Sequence, residues 1–242
     1  MEKLNQSQLE KYYCSTFLKE IGIEGQLRLL NSHVLVIGAG GLGSSTLMYL
    51  SSSGVGHIGI VDSDVVSLSN LPRQIIYRYM DIGKAKVTVS KKRMLELNPD
   101  IEVTTYKRRA TKANIKKLIQ EYDIVIDCTD NFESKFLIDD ACVKLNKPLV
   151  TAGVSDFQGQ VNTFVPHLSK DFKSIFSALP INIDQKYIDE DQGVFPPVVG
   201  IISDIATSET LKYLLGIGEL LLNQVLVFNA KKNEFHKIKF PE

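Results

Sequence analysis

The sequence predicts an α/β fold on a doubly wound, mixed sheet, parallel in its N-terminal part and antiparallel in its C-terminal strands. Three observations carry this. Strand-like and helix-like segments alternate through residue 150; the run VLVIGAGGLG at 34–43 opens from an apolar strand into glycines just before a helix; and after Gly153 the pattern switches to two-residue alternation.

Taken in order, the apolar run from Val34 is the first strand, and the stretch Ser44 to Ser52 reads as a helix ended by Gly54 and Gly56. HIGIVD, 57–62, is the second strand. A helix follows from Lys84 to Leu97 and stops at Asn98-Pro99, because the residue before a proline is pushed out of the helical region. IEVTT, 101–105, is the third strand, and YDIVIDCTDN gives a fourth ending at Asp127. Helix 133–145 and strand PLVTA, 148–152, complete the parallel part. QGQVNTFVP, 158–166, alternates as a half-exposed antiparallel strand, and 224–240 reads as a hairpin turning near Lys232-Asn233. Between them stand an irregular segment, 167–195, and a helix near 204–215 stopped by Gly216. Without repeats or a Gly/Ser linker, one domain over 1–242 is expected, divided near residue 152.

With 44% hydrophobic residues the chain can bury a sizeable core, and 28 basic residues balance 28 acidic ones. That balance gives no overall field favouring nucleic acid or an anionic membrane, and the cationic stretches at 91–93 and 107–109 read as solvated surface. The absence of a signal-like N-terminus and of a long apolar span leads to the expectation of a soluble, cytoplasmic protein. Cys14, Cys128 and Cys142 form no C-x-x-C pair, and His33, His57, His167 and His236 show no metal-ligand spacing, so no zinc is expected. Cys128 and Cys142 lie among apolar residues and read as packing groups.

The glycines at Gly38, Gly40 and Gly43 form G-x-G-x-x-G between strand and helix, a Rossmann-like turn whose backbone and helix N-terminus suit a phosphate. Asp62, about twenty residues on, suits a ribose and leaves NAD open at this point. Just beyond the second strand come Asp64, Asn70, Arg73 and Gln74, then Lys84 and Lys86 at a helix entrance, and Asp130 after the fourth strand. These groups surround the carboxyl edge of the sheet, where open α/β sheets bind ligands. No acid–base pair for hydride transfer is visible among them.

Beyond GAGGLG, the pieces SNLPRQ, GKAK, DCTDN, TAGV, GQVNTF, PPVVGI and YLLGIG occur in one order. With them the chain closely resembles, nearly end to end, the ThiF/MoeB/HesA family, the bacterial relatives of ubiquitin-activating enzymes. The resemblance implies ATP- and Mg²⁺-dependent adenylation of the C-terminal glycine carboxylate of a small ubiquitin-like sulfur-carrier protein ending in Gly-Gly, for thiamine or molybdopterin synthesis, by a homodimer. It implies that Gly41 and its neighbours line the phosphates, Asp62 holds the ribose, Arg73 and Lys86 contact phosphates, Asn70 and Gln74 support them, and Asp130 holds Mg²⁺. Lys86 is preferred to Lys84 on the family pattern alone. Asp127 is the alternative metal holder, set aside because it stands where it can cap the turn after its strand. The resemblance also implies that residues 153–242 bind the carrier, with 167–195 as a crossing loop.

The chain departs from the family at two places. An arginine that reaches the partner subunit's ATP is replaced by Cys14, with Lys11 and Arg28 as nearby cations, and the crossing loop has no cysteine for a covalent intermediate. Activation of a peptide's C-terminus in natural-product assembly, and a nucleotide-binding scaffold with weakened catalysis, stand as alternatives.

Overall fold

The computed structural model describes residues 3–178 and 193–240. Three helices, α1 (Gln6–Lys11), α2 (Tyr13–Thr16) and α3 (Gly22–Leu30), precede β1 (His33–Ile37). Then follow α4 (Gly41–Ser52), β2 (His57–Val61), α5 (Lys86–Leu97), β3 (Glu102–Tyr106), α6 (Ile115–Ile119), β4 (Ile124–Asp127), α7 (Phe132–Leu145), β5 (Leu149–Ser155) and β6 (Gln158–Phe164). The chain closes with α8 (Phe172–Ala178), α9 (Pro196–Leu215), β7 (Gln224–Asn229) and β8 (Glu234–Lys239).

All eight strands form one sheet in the order β3-β2-β1-β4-β5-β6-β7-β8, parallel from β3 to β5 and antiparallel from β5 to β8. The strand order reverses between β1 and β4, the crevice where doubly wound sheets place a ligand. The expected mixed sheet is therefore present.

Alternation along β1 explains the two-sided burial. Val34 and Val36 join one core with α4, α5 and α9, around Leu47, Met94 and Ile202. Leu35 and Ile37 join the opposite core with α6, α7 and α8, around Ile119, Ile138 and Phe172. A strand covered on both faces must be apolar throughout, and HVLVI is so after its first residue.

Three sequence expectations need correction. The helix expected near 204–215 begins at Pro196, because Pro196 and Pro197 occupy its first turn, where the missing N–H costs nothing. Its end at Gly216, with φ +67°, is as expected. The helix expected from Lys84 begins at Lys86, since Ala85 is extended and bridged to Val65. Within the segment expected to be irregular, α8 forms; residues 179–192 of that segment lie outside the described residues.

No helix among the described residues is long and apolar enough to cross a membrane.

Candidate functional site

The glycine turn is fixed by close packing. Gly38 has φ +100°, and a β-carbon there would stand 2.7 Å from the carbonyl oxygen of Cys128 on the neighbouring β4 loop. A β-carbon on Gly43 would overlap the carbonyl oxygen of Gly38, so the helix can start this close to the strand only with glycine. Gly40 and Gly41 face the segment that follows β2. The amide nitrogen of Gln74 lies 3.8 Å from where a side chain on Gly40 would begin, and Arg73 Cγ lies 3.6 Å from the same point on Gly41.

Asp62 joins this turn to the end of β2. One carboxylate oxygen accepts the Ala39 N–H at 2.7 Å and the other accepts the Asp64 N–H at 2.7 Å. Each oxygen keeps a second lone pair, so a carboxylate already held in place can still accept from ribose hydroxyls. Asp64 in turn binds Lys86: their side chains meet at 3.0 Å, and the Lys86 N–H donates to the Asp64 carbonyl. Lys86 is buried, whereas Lys84 pairs with Asp81 on the preceding turn at 3.0 Å. Lys86, the lysine that the family pattern favours, is thus the buried one, and its ammonium rests on Asp64.

Asn70 spends its side-chain oxygen on the Ser67 N–H at 3.2 Å, which closes the short turn Leu68–Asn70. Arg73, half-buried, donates to the Ser69 carbonyl at 3.1 Å. Gln74 is buried, and its Oε1 has no hydrogen-bond partner among the described residues. A buried acceptor without a partner is costly unless a bound group supplies a donor, and the Nε2 of the same side chain, near Gly40, is free to donate to a phosphate oxygen. The glycine cradle and this side chain together fit a nucleotide.

Across the crevice, β4 ends in Asp127, fully buried. Its Oδ1 accepts from the Thr129 N–H and hydroxyl at 2.9 and 2.6 Å, and its Oδ2 pairs with Lys135 at 3.0 Å. Asp127 therefore caps the turn, and its second oxygen is neutralised by the Lys135 ammonium, which repels a metal cation. Asp130 is exposed and, among the described residues, accepts only from the Asn131 amide, at 3.1 Å. Among the described residues no cluster of three or more potential ligands forms a protein-only metal cage. A lone exposed carboxylate suits Mg²⁺, which takes one or two carboxylates and completes its shell with phosphates and water.

Two residues that sequence reasoning passed over hold this site. Tyr77, buried, donates to the Ala39 carbonyl at 2.6 Å and lies 3.2 Å from the Ser90 hydroxyl; burial holds its phenol protonated. Lys135 also donates to the Ala152 carbonyl at 2.8 Å, tying β4 to β5 beneath the crevice. Neither belongs to a spaced motif, so no sequence signal marked them.

Cys14 is exposed on α2. Both neighbouring cations are engaged within their own chain: Lys11 pairs with Asp100 at 2.8 Å, and Arg28 donates to the Leu215 carbonyl at the end of α9. Burial, with the Asp127 charge beside it, pushes the Cys128 thiol up to about 12, and burial likewise raises that of Cys142, so both thiols pack rather than react.

The family model described as "ThiF family" matches residues 13–242. The chain belongs to the ThiF family. A "Probable molybdopterin-synthase adenylyltransferase" of Porphyra purpurea is 38% identical over 95% of this ThiF-family chain and 60% of its own length. The "Adenylyltransferase and sulfurtransferase MOCS3" of Culex quinquefasciatus is 37% identical over 98% of this chain and 54% of its own length. This chain thus spans little more than half of each of these two relatives. A "Sulfur carrier protein adenylyltransferase" of Thermus thermophilus is 37% identical over 96% of this chain and 87% of its own. Among solved structures, E. coli MccB with MccA-N7isoASN superposes with a TM-score of 0.85 at 25% identity, over 98% of this chain and 73% of that one.

Proposed function

We propose that this ThiF-family chain adenylates the C-terminal glycine carboxylate of a small ubiquitin-like sulfur-carrier protein, using ATP. The observation that carries the reading is the glycine cradle at Gly38–Gly43 with the buried Gln74 amide beside it, its Nε2 near Gly40 and its Oε1 without a partner among the described residues, in a chain whose relatives are named adenylyltransferases.

A carboxylate oxygen of the carrier attacks the α-phosphorus; a new P–O bond forms, the bond to the β-phosphate oxygen breaks, and pyrophosphate leaves. The nucleophile is already ionised at neutral pH, so no general base is needed. What the site must supply is compensation for negative charge growing on the nonbridging and leaving oxygens. Arg73 and Lys86 provide fixed cations for that charge, Asp62 holds the ribose, Asn70 and Gln74 add polar contacts, and Gly40 and Gly41 let the backbone approach the phosphates. Asp130 would hold Mg²⁺, which when bound neutralises phosphate charge.

The half from residue 153 onward would receive the carrier. A homodimer is part of the proposal, supported by the exposed apolar residues Leu68, Ile75, Tyr79 and Met80 on the segment beside the site. The setting is thiamine or molybdopterin sulfur supply in the cytoplasm. The likeness to MccB supports peptide C-terminal activation as a second reading, at lower identity than the carrier adenylyltransferases.

ATP–pyrophosphate exchange with a panel of carriers ending in Gly-Gly, beside MccA, tests the proposal. Exchange stimulated by a carrier is expected. Exchange only with MccA would establish the second reading, and none with either would contradict adenylation.

A further inference from the structure

Residues 107–117 carry a charge that the nucleotide site does not use. Within this segment stand Lys107, Arg108, Arg109, Lys112, Lys116 and Lys117, with no acidic residue from 103 to 120, in a chain of zero net charge. All six are exposed, and none makes an ion pair or side-chain hydrogen bond among the described residues. The other cationic stretch behaves differently: Lys92 and Arg93 both reach Glu96, at 3.8 and 3.0 Å, as an ordinary solvated helix face does.

The unpaired patch is ordered. Asn114 accepts the Thr111 N–H at 2.9 Å and donates to the Arg109 carbonyl at 3.0 Å, which folds the loop back on itself before α6. It also stands at the working edge of the sheet. Tyr106, the residue before it, pairs with Val61 and accepts the Asp62 N–H at 3.2 Å, so the patch begins beside the carboxylate facing the glycine turn.

Six like charges held together repel one another, and such an arrangement persists where a partner's opposite charge offsets it. We infer that residues 107–117 form a docking surface for an acidic segment of a protein partner, brought against the edge of the sheet next to the nucleotide site. A nucleic acid fits less well. The patch offers no exposed aromatic platform for bases, since Tyr106 is half-buried against the Tyr122 hydroxyl at 3.1 Å, and the rest of the chain, with six more acidic than basic residues, extends no basic track for a phosphate backbone. This inference rests on charge and placement, not on the adenylation reading, and is tested without turnover.

The test is fluorescence anisotropy of labelled decaglutamate, with labelled decathymidylate as the nucleic-acid probe, at low and physiological salt. The full chain is compared with K112Q/K116Q/K117Q and with the control K91Q. Decaglutamate should bind the unaltered chain and K91Q alike, weaken with salt, and lose at least about tenfold in affinity in the triple variant. Thermal melts should coincide, because none of the replaced side chains has a partner. Equal decaglutamate binding by the triple variant would overturn the inference, as would binding of decathymidylate alone or of neither probe.

Discussion

Tyr77 holds the glycine turn from outside the motif. Its hydroxyl is buried and supports the Ala39 carbonyl between Gly38 and Gly40, so Tyr77→Phe leaves that acceptor and the Ser90 hydroxyl short of a partner. The variant should lose roughly 1–2 kcal/mol in urea unfolding and bind ATP several-fold more weakly, because the turn loses its support. Unchanged ATP affinity would show that the turn needs no such support. Asp130 makes the opposite prediction. Among the described residues its side chain hydrogen-bonds only to the Asn131 amide, so Asp130→Ala should melt like the parent while carrier-dependent exchange falls roughly a hundredfold. Parental exchange at limiting Mg²⁺ would remove Asp130 from the site.

At the scale of elements, α8 is anchored on α7 by one buried carboxylate. Asp139 accepts the Phe172 and Lys173 N–H groups at 3.1 and 2.9 Å, and burial, opposed by those bonds and reinforced by Asp171 and Asp140, raises its pKa to about 6. The unfolded chain releases that proton near pH 4, so between these values the folded state binds more protons. Stability from this group is full below about pH 4 and is lost as pH rises through about 6, by about 3 kcal/mol in all. Asp139→Asn removes this dependence. Relative to the parent, the variant should gain stability between pH 4 and 6 and level off above, measured by urea unfolding; parallel curves would contradict the assignment.

The elements that sequence made legible were those with punctuation. Asn98-Pro99 ended α5 and Gly216 ended α9 as expected, and the glycine turn marked the start of α4. The start of α9 was expected near residue 204 and lies at Pro196, because the first turn of a helix accepts prolines, whose missing N–H groups would be unpaired there. Three short N-terminal helices had too few turns to show a period.

On the scale of the whole molecule, the candidate site is assembled from segments that sequence order keeps apart. Asp62, Arg73 and Lys86 could be named because each belongs to a short motif near a strand end. Tyr77 and Lys135 act through partners 38 and 17 residues away, on Ala39 and Ala152, which only the topology brings near. The assembly also bears on Cys14, where the family resemblance implies an arginine directed at the neighbouring subunit. With Lys11 and Arg28 engaged in their own chain, Cys14→Arg should raise carrier-dependent exchange about tenfold or more. The gain should appear in hybrid dimers in which the other subunit carries the intact nucleotide site. An unchanged rate in a stable dimer would mean that the position supplies no charge to the partner.

The central claim is that a carrier's terminal carboxylate attacks the α-phosphorus of ATP at this site. Intact-mass analysis of a Gly-Gly-ending carrier that stimulates exchange, incubated with this protein, ATP and Mg²⁺, tests it most directly. One adenylyl group is expected on the carrier with its free carboxylate, and none on the same carrier made with a C-terminal amide. Adenylylation of the amidated carrier, or ATP consumed with no adduct on the free carboxylate when pyrophosphate is removed, would contradict it.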